Sequence, residues 1–576
     1  MNTHSSPPSK NGSLCFHRAT ELAVDRQTIG QVLAQTAAKF SDRDAMVFLD
    51  PAHGLARSRW TWHELAADVR AITRGLIACG IRTGDHVAIW ATNIPQWVLL
   101  QLATAEIGAV LVTINPAYRP FELEYVLGQS DAAALFLSDA FKTSNYYQMF
   151  AEVCPELGKN SDGVIQSIRF PKLRLAVGLR GAVPLGMLRW QELVDAGKNI
   201  SDAELAPHLA RPQPEDAVNI QYTSGTTGFP KAAMLSHRNL LMNALYIGDR
   251  QHLTAADRIC IPVPFYHCFG CVLGSLAAVV HGAAMILPAE HFQATKALVA
   301  IEQERATALY GVPTMFIAML EDPTLAARDI SSLRTGIMAG SPCPIEVMRR
   351  VTTTLHCPEL TIAYGQTEAS PVITQTSIDD PLELRVETVG RPLPGFEVRI
   401  VGPDNLDVPE GEQGELVARG HGVMIGYYAN PQATAAAIDR EGWLHTGDLA
   451  RRLPTGHYKI TGRLKEMVIR GGENIYPREI EEFLFTHPAI EQVAVVGVPD
   501  SHFGEELCAW IKRKADAQLT EDDVRAYCRG SIAHYKTPRY ICLVDSFPQT
   551  VTGKIQKFKI RETMIDQLGL EEEKTA

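Results

Sequence analysis

Residues 222–231 read Y-T-S-G-T-T-G-F-P-K. Thr223, Ser224, Thr226 and Thr227 set small hydroxyls around Gly225 and Gly228, and Lys231 closes the run with a positive charge. Glycine lets a ligand approach the main chain closely. Successive N–H groups, hydroxyls and an ammonium together make a cradle for phosphate oxygens. A polar hairpin turn is the plain alternative, but a turn does not require this many donors. The order of residues separates the stretch from a Walker loop, which opens a helix with G-K-[ST]. Here Phe229 and Pro230 stand between Gly228 and Lys231. Residues 217–222 alternate as a strand does, 232–235 look like a second short strand, and Ser236 is a suitable N-cap for a helix over 237–241. The loop therefore joins two strands.

Four further stretches could serve a nucleotide. Tyr364-Gly365-Gln366-Thr367-Glu368 follows an apolar strand over 360–363 and places one carboxylate at its end. Mg²⁺ takes hard oxygen ligands and often only one or two protein carboxylates. Thr446-Gly447-Asp448 offers a carboxylate that can accept two hydroxyls at once. Ala339-Gly340-Ser341-Pro342-Cys343-Pro344 is a turn whose glycine permits close approach, and Gly553-Lys554 puts a lysine on a late loop. Each alone reads equally well as a solvated loop or turn.

Taken in order, these stretches resemble the motifs of the adenylate-forming, or AMP-binding, enzymes. That superfamily includes acyl-CoA synthetases, luciferases and the adenylation domains of peptide synthetases. T-S-G-T-T-G-x-P-K is similar to its signature loop, with Ala232 where many relatives have glycine. The resemblance covers residues 29–565. It implies ATP contacts from Thr223, Ser224, Gly225, Thr226, Thr227, Gly228 and Lys231, with Thr226 among the catalytic groups. Gly340 and Ser341 would border the adenine, Tyr364 would stack on it with Gly365 and Gln366 alongside, and Thr367 would touch phosphate. Glu368 would hold magnesium, Asp448 both ribose hydroxyls, and Arg463 the ribose. Lys465 occupies the interdomain hinge position, and Gly471 and Gly472 would let the pantetheine arm of coenzyme A pass. Lys554 matches the late lysine that reaches the carboxylate and α-phosphate.

Phe265-Tyr266-His267 is similar to the acyl-pocket gate. Phe265, His267, Gly270, Gly274 and Val312 are expected to border an apolar pocket, the small residues leaving room for a chain. A satisfied core histidine is the alternative reading of His267. Within the superfamily, residues 471–477 and 553–559 look like those of mitochondrial-type medium-chain acyl-CoA synthetases and bacterial fatty-acid ligases. The implied activity is ATP-dependent ligation of a fatty, medium-chain acid to coenzyme A, with ATP, Mg²⁺ and coenzyme A as cofactors and cosubstrates. A stand-alone acyl-AMP ligase, an aryl or other carboxylate–CoA ligase, and a non-enzymatic nucleotide-binding paralogue are the alternatives. No carrier-domain segment follows Lys554, which disfavours a peptide-synthetase module.

Positioning such residues takes a large framework. At 576 residues the chain exceeds what one core supports. Recurrent helix and strand patterns over residues 29–393 imply layered sheets with crossover helices. Amphipathic residues 62–79 end at Gly80, strands are expected over 85–90, 110–114, 257–263, 285–287 and 308–311, and a helix over 95–109. Short strands between Gly and Pro turns over 395–453 imply a small β subdomain, and helices and strands beyond residue 465 imply an α+β unit. The expected fold class is α/β: a large N-terminal domain of two layered α/β subdomains plus a small β subdomain, with a smaller mobile α+β C-terminal domain. Boundaries are expected at a tail over 1–28, an adenylation domain over 29–464 and a C-terminal domain over 465–576.

A net charge of −11 argues against a non-specific nucleic-acid binder or a polybasic membrane clamp. The start lacks the apolar core of a signal peptide, and no run is long enough to span a bilayer. Eleven scattered cysteines suit reduced thiols in the cytoplasm, and Cys268 and Cys271 read as pocket or core thiols, since no second pair follows them. The expected partners are small molecules, with no nucleic acid and no transmembrane segment, and a homodimer is left open.

Overall fold

The computed structural model describes residues 24–50, 57–159, 165–223, 230–341, 343–470, 473–500, 502–515, 517–529, 531–551 and 553–570. It is a mixed α/β chain that divides into two compact units. The first comprises the described residues up to His291 together with Thr367–Val372 and His421–Thr434. The second comprises Phe292–Gln366, Ile373–Gly420 and the described residues from Ala435 onward.

In the first unit, an eight-stranded sheet runs in the order Gly426–Tyr427, Lys231–Ser236, Ala217–Thr223, Val110–Thr113, His86–Trp90, Ala132–Leu137, Leu175–Gly178, Leu188–Arg189. Its middle is parallel, and Lys231–Ser236 turns back antiparallel on Ala217–Thr223. Strands such as Val110–Thr113 and Ala132–Leu137 are buried at every position. A parallel strand covered on both faces reads in this way as a continuous apolar run. The helix Trp62–Ala78 starts at a Thr61–Glu64 capping box and is followed by Gly80 with φ +84°. Pro95–Ile107 is buried along its whole length, as a helix inside a large core must be. A second set of strands in this unit sets Asp44–Phe48 and Arg258–Cys260 parallel to Ala284–Leu287.

The strand expected over 257–263 is shorter than its apolar run. It ends at Cys260 because Pro262 and Pro264 lack the N–H that a ladder needs. The freed chain turns instead into a tight segment before the π-helix Phe269–Leu276.

His237 opens the helix His237–Asp249 behind its Ser236 cap. It is fully buried, and its Nδ1 accepts the Ile29 N–H at 3.1 Å, so Nε2 carries the ring proton. Burial pushes its pKa from the ordinary 6.5 down to about 3, and the positive end of the helix acts in the same direction. The folded chain therefore refuses a proton that the unfolded chain binds below 6.5. This contribution to stability is complete above that value and is lost as pH falls toward 3, at about 1.4 kcal/mol per pH unit. Urea midpoints of the wild type and of His237→Asn should therefore differ in pH dependence between about pH 7 and 5, the wild type falling more steeply. Parallel curves would show that His237 already binds a proton in the fold.

In the second unit, Ala308–Gly311, Thr335–Ala339 and Glu359–Gly365 form a parallel run. Phe396–Val401, Gln413–Gly420, Leu444–Arg452 and Tyr458–Arg463 form an antiparallel meander, which extends the β subdomain expected over 395–453 as far as Arg463. The expected boundary at 464/465 falls in a single 3₁₀ turn, Leu464–Glu466. Beyond it lies a five-stranded sheet in which Gly504–Arg513 pairs with Ile490–Asp500 at one edge and with Val468–Arg470 and Tyr540–Leu543 on its other side. Alternate residues of Ile490–Asp500 face two cores, Val493 and Val495 on one side and Ala494, Val496 and Val498 on the other. Both faces are thus covered, as period-two alternation between two apolar layers allows. Among the described residues, no helix is long and apolar enough to cross a membrane.

Candidate active site

The residues singled out in the sequence fall into two groups, one in each unit. Ser224, Gly225, Thr226, Thr227 and Gly228, and likewise Gly471 and Gly472, lie outside the described residues. What the structure shows of the signature loop is its two strands. Thr223 and Lys231 face each other at the open end of the antiparallel pair, so the loop joins strands.

At that end, Glu368 sits in the 3₁₀ turn Thr367–Ala369. Its Oε1 accepts the Thr223 hydroxyl at 3.1 Å and the Tyr427 hydroxyl at 2.7 Å. Its backbone is fixed too, since the Glu368 carbonyl accepts the Met424 N–H at 2.9 Å. Lys231 Nζ lies 5.0 Å from the centroid of the Tyr427 ring, within cation–π range. Burial, and then the Glu368 charge, raise the Tyr427 pKa, so Tyr427 remains a donor. A half-buried carboxylate ringed by hydroxyls offers the hard oxygen donors that Mg²⁺ requires. Among the described residues, no cluster of three or more His, Cys, Asp or Glu side chains could hold a metal instead.

The second group gathers on the meander and the parallel strands beside it. Asp448 lies opposite Arg463 in the ladder and is 3 % exposed. Its Oδ1 accepts Arg463 Nε at 2.6 Å and its Oδ2 accepts the Tyr364 hydroxyl at 2.8 Å. Each carboxylate oxygen has a second lone pair, so the carboxylate is held in place with acceptor capacity to spare. Around Asp448, Thr446 Oγ1 donates to the Leu416 carbonyl and accepts the Asp448 N–H, while Glu415 accepts the Gly447 N–H. Burial, and then Asp448, raise the Tyr364 pKa. Burial pulls the Arg463 pKa down and Asp448 pushes it back up, leaving it raised. Tyr364 therefore orients the carboxylate as well as presenting a ring.

Gly340 ends the strand Thr335–Ala339 with φ +88°, a conformation that L side chains rarely adopt, and Ser341 follows it. A methyl on Gly340 would sit 3.1 Å from Val312. Gly553, beside Lys554, approaches the same Val312 and the Thr314 hydroxyl. Val312, expected at the acyl pocket, thus packs against the Gly340 turn and the lysine loop. Lys554 is open to solvent on one side yet crowded by protein. Its pKa is lowered first by that crowding and then by the Arg463 charge, while Glu466 and Asp448 pull it up.

In the first unit, Phe265 is buried and stacks on Trp97, with ring centroids 5.4 Å apart. His267 is half-buried, and its Nδ1 accepts the Phe269 N–H at 3.2 Å. Cys268 Sγ donates to Gln221 Oε1, and Gln221 Nε2 meets Cys271 Sγ, so both thiols pair with an amide. Gly270 and Gly274 correct one expectation. A methyl on Gly270 would lie 2.3 Å from the Pro264 carbonyl oxygen, and one on Gly274 would meet Ile261 at 2.9 Å. The space their missing side chains release is filled by protein, so these glycines serve close packing and do not leave room for a chain.

Sequence reasoning passed over three kinds of residue. Tyr427 lies 59 positions from Glu368, with nothing in the spacing to join them. Asn93 clasps the turn before Phe265, donating to the Val263 carbonyl at 2.8 Å and accepting the Phe265 N–H at 2.9 Å from a distant loop. Lys557 and Glu466 ion-pair at 2.9 Å, and here a signal existed, because Lys557 follows Lys554 by three residues in the same short stretch.

The family model described as AMP-binding enzyme matches residues 33–428, and the AMP-binding enzyme C-terminal domain matches 479–554. The chain is 51 % identical to Bacillus subtilis (strain 168) YngI, named provisionally as an acyl-CoA synthetase, over 94 % of this chain and 98 % of that protein. It is 41 % identical to the human mitochondrial medium-chain acyl-CoA ligase ACSF2, over 96 % of this chain and 90 % of that one. Among solved structures, ATP-bound MatB from Rhodopseudomonas palustris is 29 % identical, with a TM-score of 0.79 over 94 % of this chain and 100 % of that one. The family model matches most of the chain, and both named relatives are more than 40 % identical over most of their length, so this protein belongs to the AMP-binding enzymes.

Proposed function

We propose that the protein is an ATP-dependent acyl-CoA ligase that activates a fatty, medium-chain carboxylic acid as its acyl-adenylate and then transfers the acyl group to coenzyme A. In the first step the carboxylate attacks the α-phosphate of ATP, the bond to pyrophosphate breaks, and pyrophosphate leaves. In the second, the coenzyme A thiol attacks the acyl carbon and AMP leaves, so neither step needs a protein nucleophile. Positioning and charge stabilisation carry transfers of this kind. The observation that carries the reading is the Asp448 carboxylate held by Arg463 and Tyr364, with Lys554 among the charged groups whose fields meet there.

In this reading Asp448 accepts ribose hydroxyls with its spare lone pairs, and Tyr364 and Arg463 hold it for that task. Lys554 neutralises charge between the carboxylate and the α-phosphate. Glu368, braced by Thr223 and Tyr427, would hold Mg²⁺, which when bound supplies neutralisation of the triphosphate charge. Because the two steps need different groups, the segment beyond Lys465 turns between them and brings the face with Gly471 and Gly472 to the site. Domain closure of this kind is a recognised gating motion. The described cysteines are free thiols, which supports a reducing, cytoplasmic setting.

Burial of each methylene contributes about 0.8 kcal/mol, roughly fourfold per carbon until a pocket ends. Across straight-chain acids, AMP formation should therefore rise through medium lengths and then level or fall. The names of YngI and ACSF2 support an acyl substrate, and ACSF2 a medium chain. The panel should be run with and without coenzyme A. Thioester appearing only with coenzyme A supports the ligase, and release of free adenylate with no thioester points to an acyl-AMP ligase. A clear preference for acetate or for an amino acid would overturn the fatty-acid assignment.

A further inference from the structure

Lys554 lies on a loop that is itself well tied. The Lys554 N–H donates to Thr550 Oγ1 at 3.1 Å, and the Thr550 N–H donates back to the Lys554 carbonyl at 2.8 Å. The far end of the loop runs into the helix Lys557–Leu568, whose first residue carries an ammonium between two carboxylates. Lys557 Nζ is 2.9 Å from Glu466 Oε2 and 2.8 Å from Glu481 Oε1. Glu481 is 6 % exposed and also accepts the Val495 N–H at 2.7 Å, which fixes it to the edge strand Ile490–Asp500 of the C-terminal sheet. A continuous polar chain thus runs from Val495 through Glu481 and Lys557 to Glu466.

Glu466 is the end of that chain that matters most. It closes the turn Leu464–Glu466, directly after Lys465. Burial pushes its carboxyl up, but three cations, Lys557, Arg463 and Lys554, together offset this and leave it lowered. The charged groups acting on Lys554 are Arg463, Glu466, Asp448 and Lys557. Of the two anions, Asp448 is already bonded to Arg463 and Tyr364. We infer that Glu466 is a positioning residue for the adenylation step, holding the Lys554 loop through Lys557 and supplying the counter-charge that keeps Lys554 an ammonium beside Arg463. Like charges that act on one another repel, and a carboxylate among them offsets that repulsion.

The inference rests on the reading of Lys554 as the adenylation lysine, and the experiment separates the two. Pyrophosphate release from ATP and a straight-chain acid, and thioester formation from pre-made acyl-adenylate and coenzyme A, are each measured across pH for wild type, Glu466→Gln, Glu466→Asp, Lys554→Arg and Lys554→Ala. Lys554→Arg, which stays charged, should lose the alkaline fall in the first step and so assign that fall to Lys554. Glu466→Gln should slow adenylate formation about tenfold and move its alkaline fall about one pH unit lower, since removing the carboxylate makes the ammonium easier to deprotonate. Glu466→Asp keeps the charge and should leave the fall at its wild-type position. Thioester formation by Glu466→Gln should stay within about twofold of wild type.

An unmoved alkaline fall in Glu466→Gln, or equal losses in both half-reactions, would overturn the inference and leave Glu466 a merely structural ion-pair partner. Undiminished adenylate formation by Lys554→Ala would instead overturn the assignment of Lys554 itself.

Discussion

Lys554→Ala is expected to lose roughly 10²- to 10³-fold in acyl-adenylate formation, equivalent to about 2.7–4 kcal/mol, the range for removing one electrostatic group aimed at a transition state. The expectation follows from where the lysine sits. Its neighbours include the Asp448 carboxylate and the Arg463 guanidinium, and its loop abuts Val312 and Thr314 through Gly553. The side chain is open to solvent, so its removal exposes no core and leaves no cavity, and thermal stability should barely change. Given pre-made acyl-adenylate and coenzyme A, the same variant should make thioester at close to the wild-type rate, because in the proposed mechanism the second step presents a different face of the C-terminal segment. Both half-reactions measured on one preparation decide the matter. Equal damage to both would mean that Lys554 supports the site structurally and that the segment does not turn between steps.

Glu368→Ala should reduce overall turnover about a hundredfold or more, through loss of the carboxylate that would hold the metal. The bonds to Thr223 and Tyr427 make a second variant informative. Glu368→Gln keeps an oxygen able to accept both hydroxyls but removes the charge. If the charge is what matters, the two variants should be similarly impaired, and both should need far more Mg²⁺ to reach half-maximal rate. If the carboxylate only braces Thr223 and Tyr427, Glu368→Gln should be nearly as active as the wild type. Near-normal turnover of Glu368→Ala at ordinary Mg²⁺ would show that another group holds the ion.

Much of the framework is legible in the chain because its signals are local. The capping box at Thr61, the proline opening Pro95–Ile107 and the Ser236 cap each lie within a few residues of the helix they start. Strands buried on both faces announce themselves as apolar runs. The strand expected over 257–263 was overlong because apolar character persists through Pro262, whereas hydrogen bonding does not. In the sequence, Gly270 and Gly274 suggest open space for a related reason. A glycine reveals that something comes close, and only the fold shows that the Pro264 carbonyl and Ile261 are what come close here.

What the sequence by itself determined is the inventory of chemistry: a donor-rich loop closed by Lys231, single carboxylates at Glu368 and Asp448, and a late Lys554, in an order that resembles one superfamily. Those features are carried by residue type and short spacing, which need no third dimension. Only the tertiary structure decided which groups act on one another. It set Tyr427 on Glu368 across 59 positions, Tyr364 on Asp448 across 84, and Lys557 on Glu466 across 91. Such pairs arise because a buried or half-buried charge must find a partner wherever the fold brings one within reach. The chain path between the partners is spent on strands and helices whose patterns record their own burial and say nothing of what lies across the sheet.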